Sequence, residues 1–230
     1  MDSDLHLYLP EPTPERPLNG LSLLIVEDSR CTTQAVRLLA LGSGARLRRA
    51  DSIAAAHRHL AVFRPSVVIV DMGLPDGSGA DLIAELARAE PRVPAVIGTS
   101  GDAGTEEAAM AAGADGFLAK PIESLALFQQ AILNLLPRTQ ALRGPRALPD
   151  RHVIPGRDAV AEDLEHAADM MEHGRLPDLP YAAQFLGTVA QAAHDPTLEA
   201  AARRLAQAPA HAPQVARLVA DKLAEMRASA

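Results

Sequence analysis

The chain has 230 residues, 48% of them apolar and 22% charged, with a formal net charge of −7. That composition excludes a disordered chain, the length allows one large or two small cores, and no apolar run reaches the roughly 18 residues of a membrane-crossing helix. No segment carries the basic excess of a nucleic-acid footprint, and the single cysteine, Cys31, leaves no intrachain disulfide, which fits a reducing, cytoplasmic setting.

Residues 1–19 hold acids and prolines (Asp2, Asp4, Pro10, Pro12, Pro14, Pro17) and are expected to form a flexible extension, unlike a secretory signal. Residues 21–26 (LSLLIV) read as a strand ending at Glu27 and Asp28. A helix carrying Val36, Leu38, Leu39 and Leu41 follows, with Gly42 and Gly44 stopping it. Residues 45–49 form a weak strand, and Asp51 or Ser52 caps a helix bearing Ile53, Ala56, Leu60 and Phe63. Val67–Val70 is a β-branched run without polar alternation, the mark of a strand buried on both faces.

The alternation continues past Asp71. A Gly/Pro-rich loop (MGLPDGSG) leads to a helix with Leu82, Ile83 and Leu86, then a strand at 95–99 and a helix near 105–112. A short strand at 116–118 runs into Lys120–Pro121, and a last helix carries Leu125, Phe128, Ile132 and Leu135. Gly98 within a strand implies close backbone approach or added flexibility. Five strands alternating with five helices predict an α/β domain at 20–138, a five-stranded parallel, doubly wound sheet of flavodoxin-like form. Residues 139–156 read as a Pro-rich linker. Residues 157–230 read as a small all-α domain of four helices, with stripes at Val160/Leu164/Ala167/Met171, Tyr181/Phe185/Val189/Ala192, Leu198/Ala201/Leu205 and Val215/Leu218/Val219/Leu223/Met226.

In a parallel sheet the carboxyl ends of the strands share one edge, so Glu27, Asp28, Asp71, Thr99 and Lys120 should meet there. Three crowded carboxylates repel one another unless a cation neutralises them, and Mg²⁺ suits a site with few protein ligands plus waters. Asp71 is the expected nucleophile for phosphoryl transfer. Glu27, Asp28 and the Gly73 carbonyl are the expected metal ligands, Thr99 a hydroxyl for a phosphoryl oxygen, and Lys120 a point charge for an anion.

The set LLIVED, VVIVDMGLPDGSG, VIGTSG and AGADGFLAKP resembles the receiver domain of bacterial two-component response regulators over residues 20–138. The resemblance implies phosphorylation at Asp71 by a histidine kinase or phosphotransfer protein. It implies metal coordination by Asp28, Asp71 and the Gly73 carbonyl, with Glu27 acting mainly through water. It also implies that Thr99 is the switch hydroxyl, Phe117 the switch aromatic, Lys120 the phosphate contact, and Lys120–Pro121 a cis peptide. Phe117 lacks the hydroxyl of the tyrosine often found there, and Gly73 and Gly101 put no side chains beside the site.

For residues 157–230 the favoured role is protein interaction or dimerisation. The alternative is a divergent DNA reader built from 198–207 and 214–226 across a six-residue connector. Against it, the second helix offers Arg217, Lys222 and Arg227 beside Asp221 and Glu225. A catalytic tail lacks clustered acids, glycine loops or metal-ligand spacing. No enzymatic activity is therefore expected beyond aspartyl phosphorylation and dephosphorylation.

Overall fold

The computed structural model describes residues 11–102, 104–137, 149–173 and 178–228. The expected extension, linker and helical domain therefore lie partly outside the described residues, at 1–10, 138–148, 174–177 and 229–230.

A parallel sheet is built from β1 (Ser22–Val26), β2 (Arg46–Ala50), β3 (Val67–Asp71), β6 (Ala95–Ser100) and β7 (Gly116–Ala119), in the order β2–β1–β3–β6–β7. The Gly/Pro-rich loop after Asp71 is a small hairpin, β4 (Gly73–Leu74) with β5 (Gly77–Ser78). Between the sheet strands run α1 (Arg30–Ser43), α2 (Ile53–Leu60), α3 (Gly79–Arg88) and α4 (Thr105–Ala111), and α5 (Leu125–Leu135) follows β7. All of β3 is buried, as its unbroken β-branched run demands.

The sheet separates two cores because successive side chains alternate in direction. Leu23, Ile25, Val67, Ile69, Ala95 and Ile97 pack with α1 and α5. Leu24, Val26, Val68, Val70 and Val96 pack with α2, α3 and α4. Gly98 is explained here: a Cβ would stand 2.7 Å from that of Ala109, so the glycine lets α4 close on the sheet.

Several local expectations are corrected. Gly42 lies inside α1, and Gly44 alone ends it, adopting φ 87°. Of the two expected candidates, Ser52 caps α2, as one of them should, accepting from the Ala55 amide. Phe63 lies beyond α2, under the Arg48 guanidinium. Leu18 is fully buried in the α1/α5 core, so the extension joins the domain before residue 19. On the far side, Val153 is buried in that same core, and His152 bridges Ser124. The end of the linker is thereby strapped to the start of α5.

A third core belongs to α6 (Arg157–His173), α7 (Leu179–Ala192), α8 (Pro196–Gln207) and α9 (Ala212–Ala228). Each takes its buried face from the apolar stripe in its sequence, with Leu164, Phe185, Leu198 and Val219 among the buried residues. Asp195 caps α8 through the Thr197 and Leu198 amides. A 3₁₀ turn at Pro209–His211 precedes α9, so four residues rather than six join α8 to α9. Cys31 of α1 is buried in this core, which joins the helical layer to the sheet domain.

Candidate functional site

Strand register assembles the site. Asp71 is the last residue of β3 and pairs with Thr99 of β6; Val26 pairs with Val70, so Glu27 arrives beside Asp71. β7 pairs Ala119 with Ser100, which delivers Lys120 to the same edge. The Lys120 ammonium lies 2.8 Å from Glu27 Oε2 and 3.0 Å from Asp71 Oδ2, with its side chain only 2% exposed. The Lys120–Pro121 peptide is cis.

Carboxylate oxygens of Glu27, Asp28 and Asp71 lie within 4.8 Å of one another, a group able to hold a cation. Burial and the neighbouring Asp71 charge hold the Glu27 carboxyl well above the usual carboxylate range, against the opposing pull of Lys120. Burial likewise raises Asp28, while a hydrogen bond from Tyr181 opposes it. Burial alone would lower Lys120, but the Asp71 and Glu27 carboxylates outweigh it and push its pKa up. The lysine is therefore a fixed positive charge at neutral pH.

Asp71 Oδ1 is buried and has no hydrogen-bond partner, although Oδ2 is paired with Lys120. Leaving a carboxylate oxygen so exposed to its neighbours' charge is unfavourable unless a cation or an electrophile meets it. The Thr99 hydroxyl donates to the Leu118 carbonyl at 2.7 Å and must turn to reach an incoming anion. Phe117 is half-buried against the α2/α3/α4 core. The expected residues are thus brought to one edge, except that Thr99 is turned away and Phe117 packs beside the site rather than in it.

Sequence reasoning missed the side chains that the helical layer adds. The Tyr181 hydroxyl donates to the Asp28 carboxylate. Burial and that carboxylate both raise the phenol's pKa, so it stays a donor. Gln184 lies over Gly73, where a Cβ would come within 1.9 Å of its Nε2, and the Gln191 amide donates to the Gly101 carbonyl at 3.5 Å. The two notches left by glycine are filled from α7. Asp163 of α6, itself buried, accepts from Ser29 Oγ, the Arg30 amide and the Cys31 amide, each at 2.9 Å. It completes the N-terminus of α1, where an anion is favoured. A signal for these residues was present. Asp163 interrupts the apolar stripe of α6, and Tyr181, Gln184, Thr188 and Gln191 recur at helical spacing along an otherwise apolar α7.

Residues 23–132 match the family model of the response regulator receiver domain. This part of the chain is a receiver domain. Its curated relatives include the KDP operon transcriptional regulatory protein KdpE of Escherichia coli K12, 30% identical over 127 residues, covering 55% of this chain and 56% of KdpE. Another is the probable transcriptional regulatory protein TcrX of Mycobacterium tuberculosis, 32% identical over 121 residues, half of each chain. The chain spans about half the length of the curated relatives it matches. A solved response regulator from Chloroflexus aurantiacus is 28% identical over 50% of this chain and 98% of its own, with a TM-score of 0.46. The receiver domain of sensor histidine kinase PA1611 from Pseudomonas aeruginosa, solved with magnesium in its cleft, is 24% identical over 50% of this chain and 96% of its own, at a TM-score of 0.45. The family match stops at residue 132, before the helical layer.

Proposed function

We propose that the receiver domain accepts a phosphoryl group on Asp71 from a histidine kinase or phosphotransfer protein in the cytoplasm, and that residues 157–230 pass the signal on through protein contacts or dimerisation. In this reading residues 20–138 are the receiver, joined by Leu18 of the extension and Val153 of the linker, and residues 157–230 are the helical layer. The observation that carries it is the buried Lys120 ammonium bridging Glu27 and Asp71 while Asp71 Oδ1 has no partner.

The donor set fits Mg²⁺: hard carboxylate oxygens, one of them orphaned, and clustered charge that the single lysine does not balance. Asp28, Asp71 and the Gly73 carbonyl would hold the ion directly and Glu27 through water. Bound there, the ion neutralises charge on the phosphoryl oxygens. The Asp71 carboxylate attacks the phosphorus of a phosphohistidine; the new O–P bond forms as the N–P bond breaks, and the imidazole leaves with the electron pair and takes up a proton. Lys120 holds Asp71 in place and pairs with a developing phosphoryl oxygen. Thr99 then turns from Leu118 to the new phosphate, vacating space that Phe117 can enter.

Incubation with Mg²⁺ and acetyl phosphate should label Asp71, and Asp71→Asn should abolish the label. Undiminished labelling of that variant would refute the assignment. The names of the relatives favour a second reading, a transcriptional regulator whose helices contact DNA. Steeply salt-dependent retention on duplex DNA would establish it.

A further inference from the structure

We propose that α7 is a lid on the phosphoacceptor pocket, held down by a latch at α1, so that a hydrated cation and a phosphoryl donor gain Asp71 only when the α6–α7 face lifts. This rests on the reading of Asp71 as the acceptor.

Space is the first argument. Between Glu27, Asp28, Asp71 and Gly73 on one side and Tyr181, Gln184, Phe185 and Thr188 on the other remains a cavity of about 10 Å³. That is room for one water molecule. Magnesium keeps several waters, and a donor must bring its phosphorus to about 3–3.5 Å from the attacking oxygen. Neither fits beneath α7.

Chemistry is the second argument. The face of α7 turned to the helical core is apolar, with Ala182, Phe185, Leu186 and Val189 buried. The face turned to the receiver carries Tyr181, Gln184 and Gln191, which meet Asp28, Gly73 and Gly101, and Thr188, which lines the cavity. Water can replace such polar contacts, so the pocket rim parts at less cost than the apolar contact that Cys31 makes with the helical core. α7 carries no charged side chain. It therefore offers no cation to a phosphoryl group, and new negative charge beneath it favours opening.

The latch is the third argument. Asp163, Glu162 and the α1 N-terminus meet off the pocket, through the three Asp163 hydrogen bonds and an Arg30–Glu162 pair at 2.8 Å. They hold the lid without touching Asp71. Because coupling is reciprocal, contacts that close the lid must weaken cation binding by the factor by which the cation loosens the lid.

The test uses the full chain, as wild type, Tyr181→Phe and Asp163→Ala. It combines acetyl-phosphate labelling in Mg²⁺ with hydrogen exchange of the α7 amides. Tyr181→Phe, which loses one charge-assisted hydrogen bond, should label about tenfold faster than wild type, and Asp163→Ala, which loses three, at least as fast. Exchange along Leu179–Ala192 should rise in both variants, and in wild type on adding Mg²⁺ with beryllofluoride. Labelling at the wild-type rate despite faster α7 exchange would overturn the lid, as would undiminished α7 protection under beryllofluoride. No label in any of the three proteins would instead defeat the acceptor reading. Tyr181→Phe keeps its ring and carries the test should Asp163→Ala not fold.

Discussion

Replacing Lys120 with Gln removes the one cation, among the described residues, that pairs with the carboxylates of buried Glu27 and Asp71, beside the half-buried Asp28. At an effective dielectric constant of about 20, attractions at 2.8 and 3.0 Å are each worth about 6 kcal/mol, while carboxylates 4.8 Å apart repel by about 3.5 kcal/mol. The full Coulombic loss is not realised, because Glu27 can take up a proton instead. From an ordinary glutamate pKa near 4.3 that protonation costs about 3.7 kcal/mol at pH 7 and about 1 kcal/mol at pH 5. These figures cap the part of the destabilisation that falls on Glu27 at each pH. The sign follows: the substitution raises the Glu27 pKa of the folded state further, and a raised carboxyl contributes stability at low pH that is lost as pH rises. Urea unfolding followed by circular dichroism should show Lys120→Gln weakened by up to about 3–4 kcal/mol at pH 7, with most of the loss recovered by pH 5. A loss below about 1 kcal/mol at pH 7, or one that does not change with pH, would refute this account of the site.

Asp163→Ala should cost about 2–4 kcal/mol in thermal unfolding, since it strands the buried Cys31 amide and removes the anion from the α1 terminus. Magnesium affinity should fall as pH is lowered from 7.5 to 5.5, above the range where ordinary carboxylates protonate, because Glu27 and Asp28 are both raised by burial; calorimetric titration at the two pH values measures it. Gly98→Ala should destabilise by about 1–3 kcal/mol, its Cβ meeting that of Ala109 at 2.7 Å, and the unfolding midpoint reads the effect.

The receiver fold was legible because β-branched and apolar runs recur between helix caps, and β3 can only be a strand buried on both faces. The convergence of Glu27, Asp71 and Lys120 followed from parallel topology alone. What escaped was the state of the site. Periodicity put Tyr181 in the apolar core stripe of α7, whereas it faces the receiver, and Gln184, Thr188 and Gln191 read as a solvated face until a partner is placed against them. Asp163 escaped because its three donors lie over 130 positions away, at Ser29, Arg30 and Cys31. Phe63 and Gly42 were misplaced because helix ends depend on the cap, and only the αL turn at Gly44 fixes the end of α1.

The strap at Val153 sets how far any movement can go. Only residues 154–156 separate that buried side chain from the first residue of α6, so the start of the helix stays within about 14 Å of its anchorage. The four helices therefore swing on a short leash rather than drift free, and their local concentration beside the pocket stays high throughout. Reclosure needs no search, so the resting arrangement returns as soon as the modification is lost.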